Sequence, residues 1–309
     1  MSELVLETMG LTKKYKDFFA LKNVDMHIYE GDIYGFVGEN GAGKTTVIRL
    51  VSGLSEPTNG GYRLFGIDSN DERIYQTKKQ MGGIIESVSI NKQMTALENL
   101  RLQAIVTNTN KTDEELIELI KKVGLNYDEI KKRKAGNFSL GMRQRLGIAL
   151  SILSNPKFVL LDEPMNGLDP QGFIEVRELI KKLNEEGVTF LISSHILAEL
   201  DKICNRIGFI SHGKLLEEIT IDELHNKTRR KLEIAIKDLS NYKDKLLNYL
   251  NISDYETFND KITIYDSLDI NSVMGYLVEN NIKVESFSVI EDTIEDYYIN
   301  LITRGGKDE

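Results

Sequence analysis

Residues 38–46 read GENGAGKTT between the apolar run IYGFV and the apolar-striped VIRLVSGL, and no other stretch restricts the fold so severely. The pattern is G-x-x-x-x-G-K-[ST] after a strand and at the opening of a helix, where glycine amides wrap a chain of phosphates. Gly38, Gly41 and Gly43 allow the close approach, Lys44 carries a point charge toward the β and γ groups, and the Thr45 hydroxyl is placed for Mg²⁺. Asn40 and Thr46 belong to the same cradle. Such a strand–loop–helix predicts an α/β fold that binds a nucleotide.

Two more apolar strands end in polar groups. FVLLDEP delivers Asp162 and Glu163 at the carboxyl end of a strand buried on both faces, the edge at which open α/β sheets take ligands. Asp162 is suited to orienting Mg²⁺, and Glu163, one residue further, to positioning or deprotonating a water that attacks the γ-phosphate. VTFLIS leads through Ser194 to His195 at the same edge, where an imidazole can keep that phosphate and water in register. The helix GFIEVRELIKKLNEEG lies between these strands and completes a βαβ unit. NFSLGMRQRL, residues 137–146, sets Ser139 and Gly141 at a helix start, a second ready place for an anion.

Around these motifs the pattern divides the chain. Residues 1–85 mix short strands (LVLET, VDMHIYE, YRLFG) with the cradle, and about 87–155 read as helical, opening on a capping box at Thr95 and Glu98 and continuing through TDEELIELIKKVGL. RIGFISHGKLLEE predicts a hairpin turning at His212-Gly213, followed by a capped helix start at Thr220 and Glu223. A strand at 231–236, with Leu232, Ile234 and Ile236 on one face, opens a small α+β domain reaching about residue 303, and the tail RGGKDE is expected to fray.

A chain of 309 residues with 41% hydrophobic and 28% charged residues has material for a large core and a second, smaller one. Its net charge of -9 argues against a general nucleic-acid binder, and the basic run KKRK at 131–134 reads as a solvated face. The single cysteine, Cys204, excludes an intrachain disulfide and reads as a small core residue. MSELVLETMG has no secretory pattern and no apolar run approaches the roughly 18 residues a membrane span needs, so a cytoplasmic chain is expected, with any membrane role borrowed from a partner.

Across residues 3–225 the chain resembles the ATP-binding subunits of ABC transporters. The cradle, FSLGMRQRLGIAL (similar to the signature loop), LLDEP, NGLD at 166–169 (similar to the D-loop) and SSH occur in the family's order. The resemblance implies a P-loop NTPase core with an antiparallel β subdomain and a helical insertion, together an ATP-binding domain over 1–225, followed by a C-terminal accessory α+β domain over 231–309. It implies ATP and Mg²⁺ as cofactors, Tyr15 as the aromatic that stacks on adenine, and a head-to-tail homodimer, or a heterodimer with a similar ATPase. In that dimer Ser139 and Gly141 touch the γ-phosphate held by the other subunit, and Asp169 lies in the loop bridging the two sites.

The sequence departs from the family pattern twice. Phe138, Leu140 and Met142 replace the leucine, first glycine and glutamine of L-S-G-G-Q, while the hydroxyl of Ser139 and the close-approach glycine Gly141 survive. GGIIESVSIN puts Glu86 where most relatives carry a glutamine that reaches Mg²⁺ and the water, as in the bacitracin-resistance and lantibiotic-immunity subgroup. Its carboxylate would tighten metal coordination while adding repulsion beside Asp162 and Glu163.

The implied function is ATP hydrolysis that powers a separate membrane permease, with the chain peripheral on the inner face of the cell membrane and a peptide antibiotic as the exported cargo. Residues 87–105 are where the family meets the permease, although Ile90, Met94 and Leu97 have spacings equally suited to facing the core. Alternatives are the ATPase of an ABC-2 exporter of drugs, lipids or ions, or a soluble ABC-type ATPase acting on ribosomes or DNA. Against the last stand the single cradle and the lack of sustained heptads.

Overall fold

The computed structural model describes residues 3–228, 230–266, 268–291 and 293–305. The chain divides into two compact units, Met1–Ile221 and Asp222–Glu309.

The first unit opens with β1 (Leu4–Tyr15), β2 (Phe18–Val24) and β3 (His27–Tyr29). β1 runs twelve residues, well beyond the LVLET that alternation marks out. The physical reason is Gly10, whose φ of 56° breaks the alternation without ending the strand. Register shifts follow it, and β1 exchanges its early partner β3 for β2. The chain continues through β4 (Ile33–Val37), α1 (Lys44–Ser52), β5 (Asn59–Leu64), β6 (Ile67–Asp68), α2 (Ile74–Thr77) and β7 (Met81–Ile84). β2, β1, β5 and β6 lie side by side in that order, with β3 also on β1, forming the antiparallel sheet.

Next come α3 (Ala96–Val106), α4 (Asp113–Lys122), α5 (Tyr127–Ile130) and α6 (Leu140–Ile152). Thr95 and Glu98 form the expected capping box, and Thr112 with Glu115 forms a second at the start of α4. All four residues of KKRK are exposed. Ile90, Met94 and Leu97 are half-buried, whereas Leu102, Ile105 and Val106 of α3 are exposed.

The unit closes with β8 (Phe158–Asp162), α7 (Pro170–Glu185), β9 (Thr189–Ser194), α8 (Leu197–Leu200), β10 (Arg206–Ser211) and β11 (Lys214–Thr220). β10, β4, β9, β8 and β7 are consecutive parallel neighbours, and β11 pairs antiparallel with β10. Every residue of β4, β8 and β9 is buried, as their near-continuous apolar runs require. His212 and Gly213, both at positive φ, make the two-residue turn between β10 and β11.

The second unit contains α9 (Ile221–Lys227, beginning at the boundary), β12 (Arg230–Ile236), α10 (Lys243–Leu250), β13 (Tyr255–Phe258), β14 (Lys261–Ile264), α11 (Ile270–Glu279), β15 (Val284–Glu291) and α12 (Ile294–Gly305). Its sheet order, β13-β14-β12-β15 with antiparallel neighbours, is that of a split βαβ arrangement of the ferredoxin-like kind. Leu232, Ile234 and Ile236 share one buried cluster with Leu246 of α10 and Leu277 of α11. Arg304 and Gly305 of the expected frayed tail end α12, and the rest of that tail lies outside the described residues.

Candidate nucleotide and active site

The parallel strand order determines which groups can meet. β4, β9, β8 and β7 are neighbours pointing the same way, so their carboxyl ends deliver the cradle, His195, Asp162 with Glu163, and Glu86 to one edge.

The cradle is walled on one side by the β10–β11 turn. A β-carbon on Gly38 would lie 2.4 Å from the Ile210 carbonyl oxygen, and one on Gly43 would lie 2.8 Å from that of Ala20. Gly213 N–H donates to the Ala42 carbonyl at 2.9 Å, fastening the turn to the loop. Gly41 and Gly43 take φ values of 83° and 115°, and α1 opens at Gly43 without a side-chain cap. Its first amides therefore face the cradle, the arrangement that attracts phosphate. Lys44 is buried and its ammonium donates to the Gly38 carbonyl at 2.6 Å. The structure thus brings Asn40, Gly41, Gly43, Lys44, Thr45 and Thr46 into one loop and helix start.

Beside it, the Thr45 hydroxyl donates to Asp162 Oδ2 at 2.9 Å. Asp162 is opposite Ser193 in the β8–β9 register, and the Ser193 hydroxyl donates to Asp162 Oδ1 at 2.5 Å. The Glu86 N–H completes the set at 3.3 Å from Asp162 Oδ2. A threonine hydroxyl next to a carboxylate is a hard oxygen pair, which fits Mg²⁺. Among the described residues no group of three or more His, Cys, Asp and Glu is arranged around a metal. Mg²⁺ held together with substrate phosphates needs only one or two protein carboxylates, so this donor set fits the ion.

Glu163 sits between two cationic or potentially cationic groups. Its Oε1 lies 3.4 Å from Lys44 Nζ and its Oε2 lies 2.8 Å from His195 Nδ1. Its N–H donates to the Ser193 carbonyl at 3.1 Å, which holds the backbone against β9. Glu163 and Glu86 take φ values of 49° and 62°. Left-handed backbone at a glutamate is strained by about 1–3 kcal/mol, and such strain gathers where geometry serves function.

Glu86 is only partly where its proposed role expects it. The backbone reaches Asp162, but Glu86 Oε1 lies 3.0 Å from Arg49 Nη1. Arg49 and Ser193 are both absent from the sequence-derived set. Arg49 stands four residues beyond Thr45 on α1, and Ser193 two before His195 on β9, so helical and strand spacing were available as signals.

Ser139 is the N-cap of α6 and accepts from the Met142 N–H at 3.2 Å, which leaves its own hydroxyl hydrogen to donate. Asp169 caps α7, accepting from the Gly172 N–H at 2.8 Å. These two helix starts adjoin, since a β-carbon on Gly141 would lie 3.8 Å from Leu168 Cδ2 and one on Gly167 would lie 3.2 Å from Leu140 Cδ2. Tyr15 ends β1 half-exposed, with Lys13 Nζ 5.0 Å from its ring centroid.

This chain belongs to the ATP-binding proteins of ABC transporters and is an ATPase of that class: the ABC transporter family profile matches residues 21–166, and full-length relatives match beyond it. The bacitracin transport ATP-binding protein BcrA of Bacillus licheniformis is 39% identical over 308 residues, covering 97% of this chain and 98% of that protein. The lantibiotic transport ATP-binding protein SrtF of Streptococcus pyogenes is 39% identical over 222 residues, 72% of this chain and 93% of SrtF. Among solved structures, the dimeric ATP-binding cassette MJ0796, in a post-hydrolysis state with ADP and Pi, superposes with a TM-score of 0.63 at 27% identity, over 70% of this chain and 98% of that one.

Proposed function

We propose that this ATPase drives a separate membrane permease that expels a peptide antibiotic of the bacitracin type. The observation that carries the reading is the meeting of Lys44, Asp162, Glu163 and His195 at one sheet edge, in a chain similar along its whole length to bacitracin transport ATP-binding proteins. The match to the lantibiotic protein spans about the share of the chain that the first unit occupies, whereas the matches to the bacitracin proteins extend over 97% and 98% of the chain.

In this reading Met1–Ile221 is the ATP-binding domain and Asp222–Glu309 an accessory domain. The cradle holds the phosphates and Tyr15 the adenine. Thr45 and Asp162 would hold Mg²⁺, which when bound would neutralise phosphate charge. Glu163 takes a proton from the attacking water, and His195 fixes the Glu163 carboxylate in line. A second copy, or a similar ATPase, closes each site head to tail by presenting Ser139 and Gly141 to the γ-phosphate, with Asp169 at the seam. The permease docks on the exposed Leu102, Ile105 and Val106 of α3, while Gln103 of the same helix and Thr107 just after it line a cavity of about 440 Å³ with β7 and α6. Among the described residues no helix is long and apolar enough to cross a membrane, in keeping with a chain held at the membrane by its partner.

The test is a bacitracin growth assay in a sensitive host. Co-expressing this chain with a cognate permease should raise the inhibitory concentration, and neither alone, nor the pair carrying Glu163→Gln, should do so. Equal sensitivity in all strains, with the pair shown to be assembled, refutes the cargo.

A further inference from the structure

Glu86 is held at two points facing different ways. Its N–H is on Asp162 Oδ2 at 3.3 Å, while its carboxylate is 3.0 Å from the Arg49 guanidinium. Arg49 lies one helical turn beyond Thr45 on α1. The helix that offers the Thr45 hydroxyl to Asp162 therefore also offers a cation to Glu86.

We propose that Arg49 is a positioning residue for Glu86, holding its carboxylate away from Asp162 and releasing it toward the metal position when the nucleotide is bound. The proposal rests on the reading of Thr45 and Asp162 as the metal-holding pair. Two carboxylates turned toward one point repel each other, and the guanidinium removes that conflict by giving Glu86 its own counter-charge. The pair is also easy to open, with Arg49 46% and Glu86 56% exposed, a setting in which ion pairs are weak and screened. The Glu86 N–H bond to Asp162 keeps the backbone beside the metal-holding pair, so the release the proposal requires is a change of side-chain rotamer.

The experiment titrates Mg²⁺ into purified full-length chain with a slowly hydrolysed fluorescent ATP analogue and reads equilibrium binding. Arg49→Met keeps the apolar stem and removes the charge. It should lower the Mg²⁺ concentration at half-saturation by about threefold, the effect an exposed pair commands. Arg49→Lys, which keeps the charge, should stay near the parent value. In a Glu86→Gln background, Arg49→Met should produce no shift. The same shift in both backgrounds, or none in either, overturns the assignment of Arg49. Binding that is insensitive to Mg²⁺ in the parent chain overturns the metal reading, and the proposal with it.

Discussion

His195 Nδ1 and Glu163 Oε2 lie 2.8 Å apart, although thirty-two positions separate them in the chain. The contact follows from strand order: β8 and β9 are parallel neighbours with Asp162 opposite Ser193, so the residues leaving their carboxyl ends emerge side by side. With Lys44 3.4 Å from the other oxygen, Glu163 has both carboxylate oxygens engaged and little freedom to turn. A base aimed in this way is an expected element of water-driven phosphoryl transfer.

Glu163→Gln should lower ATP hydrolysis by about 10²- to 10⁴-fold, the loss typical of a missing general base, while leaving ATP binding intact. Phosphate release and equilibrium nucleotide binding, measured on the same preparation, check this. Hydrolysis near the parent rate would remove Glu163 from the role.

Ser139 caps α6 and is proposed to touch a partner's γ-phosphate, two roles that substitution can separate. Ser139→Ala should cost about 1 kcal/mol of stability through the lost N-cap, and Ser139→Asn, which can still cap, should cost little. Both lack the hydroxyl, so both should depress hydrolysis at saturating ATP. Activity retained in the Asn variant and lost in the Ala variant would reduce Ser139 to a cap.

Gly82→Ala should destabilise the first unit by about 1–3 kcal/mol, read as a lower denaturant midpoint. A β-carbon there would lie 1.9 Å from the Ser151 carbonyl oxygen, so α6 or β7 must shift to admit it. An unchanged midpoint would mean that the close approach of β7 and α6 is not as tight as described.

Cys204 should resist thiol reagents until the chain unfolds, and its burial sets a direction for stability in alkali. The ordinary thiol value is 9.0 and burial pushes Cys204 well above it. Above pH 9 the unfolded chain therefore binds fewer protons than the folded one, so this contribution is whole below about pH 9 and is lost as pH rises further. The buried Tyr34 phenol, raised by desolvation and by Glu218, acts in the same sense from its ordinary 10.0 upward. Denaturant midpoints measured from pH 8 upward should hold to about pH 9 and fall beyond it, and Cys204→Ser should flatten the first part of that fall.

The features legible in the sequence are those fixed by strand ends. Lys44, Asp162, Glu163 and His195 follow apolar runs, and an apolar run long enough to be buried on both faces specifies its own exit. Features that depend on side-chain rotation or on broken alternation were not legible. Glu86 was placed by motif, but its turn toward Arg49 depends on a left-handed backbone that no neighbouring residue announces. Gly10 concealed the length of β1 because a bulge looks like a strand end when only alternation is read. Ser193 is not legible because the apolar pattern accounts for β9 without it, and its hydroxyl becomes informative only once Asp162 lies opposite.

Among the described residues β7, four residues long, has a ladder on one side only, whereas β8, β9 and β4 are each flanked on both sides. Of the four strand ends that meet at the candidate site, that of the rim strand is accordingly the one held within the sheet by a single neighbour. A push arriving there would reach Glu86 first while the three inner strands are braced from both sides, which gives the outermost strand the character of a dial rather than a girder.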